Sequence, residues 1–168
     1  NHLSPADNDF AGHIAALDGL DGVAGILAGG RGFFFTYYVE RAKGGVGYIT
    51  VEHTGILQQG KASPKMLLIS SDELASGIGR LIEAVHRAGG KIVVQINHAG
   101  RQTSSTVTGM PIVGPSPISC PTRNEIPREL SAGEIDEITA AFVVAAERVK
   151  NAGADGVELH MAHGYLLC

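Results

Sequence analysis

The sequence predicts an α/β protein with a parallel sheet. From residue 33 onward, segments with helical spacing of apolar residues alternate three times with short segments rich in β-branched residues. Strands joined through crossover helices run parallel, with right-handed connections. Polar side chains follow the strands, at 52–54, 95–98 and 160–165. A parallel sheet either closes into a (β/α)8 barrel or stays open, and in both architectures ligands bind at that edge.

Composition predicts the first helix and the first strand. Residues 36–43 are helical in composition, and Gly44 and Gly45 supply a helix end. Residues 46–52 combine β-branched and aromatic side chains, which indicates a short buried strand. We expect a loop to follow over residues 53–70.

Capping residues and apolar spacing predict the second helix. Ser71 is its N-cap candidate, apolar residues recur at helical spacing over 74–85, and Gly89 and Gly90 provide the stop. The spacing indicates that one face of this helix packs in the core. Residues 91–96 then predict a strand.

A proline-rich loop precedes the last helix. Ser131 and Glu134 have the spacing of a capping box, and the apolar residues after them lie on one side of a helix that Gly153 ends. Residues 156–160 predict a further strand. Residues 1–32 stay unassigned, because six closely spaced glycines within 19–32 interrupt any long helix.

Composition and charge exclude several classes of protein. The 168 residues suffice for one domain, and 13 Lys and Arg against 17 Asp and Glu give a net charge of -4, which argues against nucleic-acid binding. The longest uncharged segment, residues 102–122, contains four prolines and cannot form a membrane helix. Cys120 and Cys168 are too far apart in sequence for a cysteine-based metal motif, and a reducing cytoplasm fits this cysteine usage.

Four histidines follow predicted strands and are candidate metal ligands. His53, His98, His160 and His163 could converge on a zinc ion, so a metal-dependent hydrolase that uses His98, His160 and His163 is one hypothesis. Taken singly, His53 and His98 are better interpreted as residues that hydrogen-bond to loop carbonyls. The sequence lacks the H-x-H spacing that would put two ligands on one face of a strand.

The segment from His160 to Tyr165 concentrates chemistry directly after a strand. It holds two imidazoles, at His160 and His163, and one phenol within six residues, and Gly164 allows the backbone to turn tightly. Imidazole N–H groups suit a carbonyl oxygen or a phenolate, and a nearby tyrosine hydroxyl can deliver a proton. The alternative is a structural pair in which a strand-end histidine and a buried tyrosine satisfy each other.

Several motifs together carry a family resemblance. They lie at 37–47, 51–52, 95–102, 127–131 and 152–167. In order and spacing they resemble the old yellow enzyme family, FMN-dependent oxidoreductases built on a (β/α)8 TIM barrel. The likeness extends from Tyr37 to Cys168. It is closest to the NADH:flavin oxidoreductase branch, which includes enoate reductases and 2,4-dienoyl-CoA reductases, because that branch prefers the pair seen at His160 and His163.

The resemblance implies a domain and a cofactor site. The chain would be the N-terminal portion, about the first half, of a single FMN-binding (β/α)8 barrel. Gln95 would hydrogen-bond the pyrimidine edge of the flavin, and the backbone around Glu52 and His53 would approach the ring. We expect no metal site in this segment, and any iron–sulfur cluster of larger family members would lie beyond the barrel.

The resemblance also implies a reaction. NADH or NADPH would reduce FMN, and a hydride would then pass to the β-carbon of an α,β-unsaturated carbonyl compound such as an enone, an enal or a dienoyl thioester. His160 and His163 would hold the carbonyl oxygen, and Tyr165 would donate a proton to the α-carbon. The complete enzyme would be a cytoplasmic homo-oligomer without a nucleic-acid or membrane partner.

Two departures from the family pattern lead to further expectations. Only Ser4 and Pro5 echo the family's first strand, and the sequence stops at Cys168, before the later strands and the phosphate-binding loops. We therefore expect weak or no flavin binding by this chain alone, and aggregation or dimerisation through open sheet edges. A degenerate, non-catalytic copy is the remaining hypothesis.

Overall fold

The computed structural model describes residues 31–168, and in that part of the chain it contains four α-helices and five strands. In chain order they are α1 Arg31–Lys43, β1 Ile49–Gly55, α2 Asp72–Arg87, β2 Ile92–Asn97, α3 Ser105–Thr108, β3 Val113–Gly114, β4 Arg128–Glu129, α4 Ala132–Asn151 and β5 Gly156–Leu159. The unassigned segment 1–32 lies outside the described residues except for its last two, which belong to α1.

Three of the strands form a parallel sheet, as the alternation of helices and strands predicts. Its order is β1-β2-β5, with β2 in the centre. Along β2, side chains alternate between two faces, because successive residues of a strand point in opposite directions. One face, which includes Ile92, Val94 and Ile96, is fully buried in a core shared with α1, α2 and α4. The other face carries Val93 and Gln95, which are only partly buried.

The first strand lies three residues later than the sequence predicts, at Ile49–Gly55 rather than 46–52. Gly45 has a positive φ of 81° that turns the chain after α1, and Tyr48 is 61% exposed, so strand pairing starts only at Ile49. Composition could not show this, because Tyr48 has high β propensity wherever it lies. As a result His53 lies within the strand and not after it.

An irregularity in β1 determines where its last residues point. Val51 pairs with Val94 and Thr54 pairs with Ile96, so β1 has one more residue than β2 between these two pairs. Such a bulge redirects the side chains near it. The expected loop over 53–70 is correspondingly shorter, and it includes a turn of 3₁₀ helix at Gln58–Gly60.

Two of the helices begin where their capping residues predict. At the start of α2, the side chain of Ser71 accepts a backbone N–H at 3.3 Å, and Ser131 and Glu134 form both hydrogen bonds of the capping box of α4. Helix α1 begins at Arg31, earlier than the predicted start at residue 36. Its glycine and aromatic residues have modest helix propensity, so its first turn is not visible in composition.

The proline-rich excursion after β2 contains short elements that the sequence does not indicate. Strands β3 and β4 form a parallel pair of two residues each, and α3 is a single turn. The pairing depends on contacts between segments distant in sequence, such as the hydrogen bond from the N–H of Arg128 to the carbonyl of Ile112 at 2.9 Å. No helix among the described residues is long and apolar enough to cross a membrane.

Asp155 fastens the amino ends of β2 and β5 to each other. Its N–H donates to the carbonyl of Ile92 at 2.9 Å, and its carboxylate accepts the N–H of Ile92 at 2.8 Å. The same carboxylate accepts hydrogen bonds from Nε2 of His86 at 2.8 Å and from Nζ of Lys91 at 3.1 Å. These hydrogen bonds, led by the one from Ile92, hold the pKa of Asp155 far below its usual value.

We expect Asp155→Ala to lower the free energy of unfolding at pH 7 by about 1–3 kcal/mol, because the N–H of Ile92 loses its negatively charged hydrogen-bond acceptor. Since the folded-state pKa lies below the unfolded value of 3.8, the wild-type carboxylate stabilises the fold above that pH, and this stabilisation is lost as the pH falls toward the folded value. Urea unfolding at several pH values measures both effects.

The matched control is Asp136→Ala, which removes an exposed carboxylate from α4. It should change the unfolding free energy by less than about 0.5 kcal/mol. An Asp155→Ala variant that loses no more stability than this control would contradict the role of Asp155 in joining β2 to β5.

Candidate active site

The candidate site lies where the carboxyl ends of the three parallel strands meet. His53 is near the end of β1, Asn97 is the last residue of β2, and His160 directly follows β5. The N–H of His160 donates to the carbonyl of Ile96 at 3.1 Å, which extends the pairing of β5 with β2 by one residue. Parallel pairing therefore brings side chains from three distant parts of the sequence to one edge of the sheet.

Four aromatic rings form a cluster at this edge. The centroid of His160 lies 4.7 Å from that of Tyr165, 5.1 Å from that of His163 and 6.0 Å from that of His53. The rings of His53 and Tyr165 are 5.4 Å apart. His160 is buried, His53 and Tyr165 are half-buried, and His163 is exposed, so the cluster is open to a ligand from one side. The structure thus brings together four of the six site residues that the sequence predicts.

The loop after β5 is held in a fixed shape by its own backbone and by the loop after β2. His163 has a positive φ of 58° and Gly164 one of 73°, which makes a tight turn between the two histidines and the tyrosine. The N–H of Leu166 donates to the carbonyl of His98 at 3.0 Å. A Cβ on Gly164 would approach Nε2 of Gln102 to 2.9 Å, which shows how closely the loops pack.

The hydrogen bonds of the histidines determine which ring nitrogen can donate. Nδ1 of His160 accepts the N–H of Ala162 at 3.3 Å, so its neutral ring carries the proton on Nε2. Burial, followed by the nearby rings of His163 and His53, lowers the pKa of His160. At neutral pH His160 is therefore an uncharged hydrogen-bond donor.

Asn97 lies among the polar residues that the sequence places after β2, but sequence reasoning gave it no role in the site. It is fully buried, its Nδ2 lies 3.1 Å from Nδ1 of His53, and its Oδ1 has no hydrogen-bond partner among the described residues. Burial lowers the pKa of His53, although the charge of Glu52 opposes the shift. The available signal was an amide side chain at the carboxyl end of a predicted strand, within the polar segment 95–98.

His98 does not join the ring cluster, which is contrary to the metal-site hypothesis. Its Nδ1 accepts the N–H of Gly100 at 3.1 Å, and its ring lies against Gly60. The expectation of a bond to a loop carbonyl is therefore wrong for His98, because a buried neutral ring accepts a nearby amide proton instead. The described residues contain no group of three His, Cys, Asp or Glu side chains that could hold a metal ion.

Two of the three predicted cofactor residues, Gln95 and Glu52, do not join the ring cluster. Gln95 donates from Nε2 to the carboxylate of Glu158 on the neighbouring strand. The carboxylate of Glu52 accepts the hydroxyl of Tyr38 from α1, and burial together with this carboxylate raises the pKa of Tyr38. The side chain of Gln95 is therefore engaged with β5 and that of Glu52 with α1.

A parallel α/β sheet that carries imidazole donors and a phenol at its carboxyl edge defines a class of protein, the α/β proteins with a candidate ligand site at the ends of the strands. The family described as the NADH:flavin oxidoreductase / NADH oxidase family matches residues 26–168. The chain belongs to this family, which is the old yellow enzyme family that its motifs resemble.

Individual relatives agree with this assignment. The chain is 49% identical over 133 residues to an NADH oxidase of Thermoanaerobacter brockii, and 44% identical over 135 residues to an NADPH dehydrogenase of Clostridium acetobutylicum. These alignments cover 78% and 80% of this chain, but only 20% and 39% of the two relatives. The chain therefore spans less than half the length of these relatives.

A solved structure confirms the fold class. The old yellow enzyme homologue from Zymomonas mobilis is 35% identical, with a TM-score of 0.72 over 80% of this chain and 40% of that chain. The described residues have the fold of part of a (β/α)8 barrel, as the sequence resemblance implies.

We expect Gly60→Ala to disturb His98 and to destabilise the fold. The added Cβ would lie 2.6 Å from Cδ2 of His98 and 3.1 Å from its Cα, so the ring and the end of β2 would have to shift. Overpacking of this kind costs about 1–3 kcal/mol. Urea unfolding measures the change in the free energy of unfolding.

Gly47→Ala is the matched control, because a Cβ at Gly47 meets nothing within 4 Å. Both changes restrict the unfolded chain alike, so their difference isolates the contact with His98. Equal stability of the two variants would rule out close packing of Gly60 against this ring.

Proposed function

We propose that this chain forms part of an FMN-dependent oxidoreductase that passes a hydride from NADH or NADPH, through the flavin, to the activated C=C bond of an α,β-unsaturated carbonyl compound. The observation that carries the proposal is the ring cluster of His160, His163 and Tyr165, held on one turn at the carboxyl edge of the sheet. The family assignment and the names of the relatives, NADH oxidase and NADPH dehydrogenase, support it.

The residues beside the ring cluster fit a flavin. Gln95 presents an amide on a sheet face that is only partly buried, and its carbonyl and N–H can match the alternating donors and acceptors of a pyrimidine edge. Asn97 holds a buried carbonyl oxygen without a partner among the described residues. Gln95 and the backbone around Glu52 and His53 would hold the ring. When bound, the flavin supplies hydride transfer between the nicotinamide and the substrate.

The two histidines of the loop after β5 would bind and polarise the substrate carbonyl. His160 is neutral with its proton on Nε2, and His163 lies beside it at the exposed side of the cluster. Two N–H donors aimed at one oxygen stabilise the negative charge that develops there when hydride reaches the β-carbon. An enone, an enal or a dienoyl thioester has the required carbonyl.

Tyr165 would supply the proton to the α-carbon. Its ring is packed edge-on against His160, with an interplanar angle of 82°, and beside His53. The turn at Gly164 therefore holds the phenol close to the histidines that bind the carbonyl. A positioned acid near a forming carbanion contributes about 10²–10⁴-fold to the rate.

We also propose that residues 1–168 are the N-terminal portion of one barrel domain, and that the complete enzyme is a cytoplasmic homo-oligomer. The partial coverage of the relatives supports the first point. The two cysteines, free in the structure, support a reducing compartment. The exposed apolar side chains of Val157 and Leu159, on the β5 edge of the sheet, support burial of this edge by further structure.

The first test is the visible absorption spectrum of protein purified from the complete open reading frame that contains this sequence, after free flavin is removed. We expect a flavin spectrum that bleaches with NADH or NADPH and recovers when an enone is added. A colourless protein that does not take up added FMN would contradict the proposal and favour a degenerate copy.

The second test separates the two half-reactions. Tyr165→Phe should slow reoxidation of the reduced flavin by an enone about 10²–10⁴-fold, because the proton donor is lost, and should leave reduction by NAD(P)H unchanged. Stopped-flow absorbance follows each half-reaction separately. The matched control, Tyr48→Phe, changes an exposed tyrosine and should alter neither rate. Equal rates for Tyr165→Phe and wild type would remove Tyr165 from the proposed role.

A further inference from the structure

We propose that Asn97 is a positioning residue of the ring cluster, which fixes the ring of His53 against Tyr165 and His160. The inference deepens the proposed function, on which its role in the reaction rests. Asn97 makes no hydrogen bond to His160, His163 or Tyr165. It would act on them through His53.

The register of the sheet brings the two side chains together. Gly55 of β1 is opposite Asn97, but the extra residue of β1 between Val51 and Thr54 changes the alternation just before that pair. A regular strand would keep Val51 and His53 on the same face, and Val51 is fully buried in the core. With the bulge, His53 is only half-buried and lies beside the site.

The hydrogen bond then selects one state of His53. Nδ2 of Asn97 carries only protons, so Nδ1 of His53 must accept at 3.1 Å, and the neutral ring has its proton on Nε2. If His53 were protonated, the N–H at its Nδ1 would face an N–H of Asn97, and the hydrogen bond between them would be lost. Asn97 itself is 0% exposed.

The ring of His53 transmits this constraint to the cluster. It lies 5.4 Å from the ring of Tyr165, tilted by 37°, and 6.0 Å from that of His160. The titratable groups that face His53 are Glu52 of its own strand and His160 and Tyr165 from the loop after β5, with His163 beyond His160. A charge or a rotation at His53 would therefore change the surroundings of the proposed proton donor.

Asn97→Asp is the sharpest test, because it keeps the shape of the side chain and reverses the hydrogen bond. A carboxylate would accept a proton from Nδ1 and favour the imidazolium. In the complete open reading frame, labelled with ¹³C-histidine and ¹³C-tyrosine, NMR titration should give a pKa of His53 below 6.5 in wild type and above 6.5 in the variant. The ring resonances of Tyr165 and His160 should follow the new titration.

Matched variants separate positioning from a general structural effect. Asn124→Asp, at an exposed position, should leave the titration of His53 unchanged. In a His53→Gln background, Asn97→Asp should no longer move the resonances of Tyr165, because the coupling passes through the ring of His53. In a flavin-loaded enzyme the pH profile of enone-dependent reoxidation should also acquire the raised pKa of His53, and only in the variant that keeps His53.

The outcomes are distinct. An unchanged pKa of His53 in Asn97→Asp would overturn the proposal, as would a shifted pKa that leaves Tyr165 and His160 undisturbed. Disturbance of Tyr165 that persists without His53 would show a purely structural role and would also overturn it. The NMR titration needs neither flavin nor substrate. A protein that does not reduce an enone would therefore contradict the proposed function, and the NMR titration would still decide whether Asn97 is coupled to His53.

Discussion

The pairing of β2 with a parallel strand on each side is the constraint on which the rest of the structure depends. Parallel strands place their carboxyl ends at one edge, so His53, Asn97 and His160 meet although they are far apart in sequence. Asp155 secures the opposite end by exchanging two hydrogen bonds with the backbone of Ile92. Any slip of β5 against β2 would break this exchange and move the histidine loop away from β1.

Burial and backbone geometry act together on the chemistry of the site. Burial lowers the pKa values of His53 and His160, so both imidazoles are neutral donors at neutral pH. The positive φ values at His163 and Gly164 hold the second imidazole and the phenol on one turn. A polar sheet face lies beside these rings, where Gln95 is only partly buried. This combination of fixed N–H donors, a phenol and an amide-bearing surface is what supports the proposed flavin-dependent reduction of an activated alkene.

Much of this organisation could be predicted from the sequence because it depends on local signals. Ser71, Ser131 and Glu134 predict the starts of their helices, since capping involves residues three apart. The same holds for the segment from His160 to Tyr165, whose side chains come together in one turn. His98 was more difficult, because its separation from the other histidines results from packing against Gly60, which is distant in the sequence.

The sequence by itself determined the parallel α/β class, the capped helices, the family and the positions of the candidate donor residues, because periodicity, caps and motifs are local and additive. The tertiary structure alone decided the shift of β1 to Ile49–Gly55, the bulge that redirects His53 and the bond from Asn97 to that ring. These features arise from pairing between distant strands. The free energy of such pairing depends on which register buries the apolar face, and no single segment contains that information.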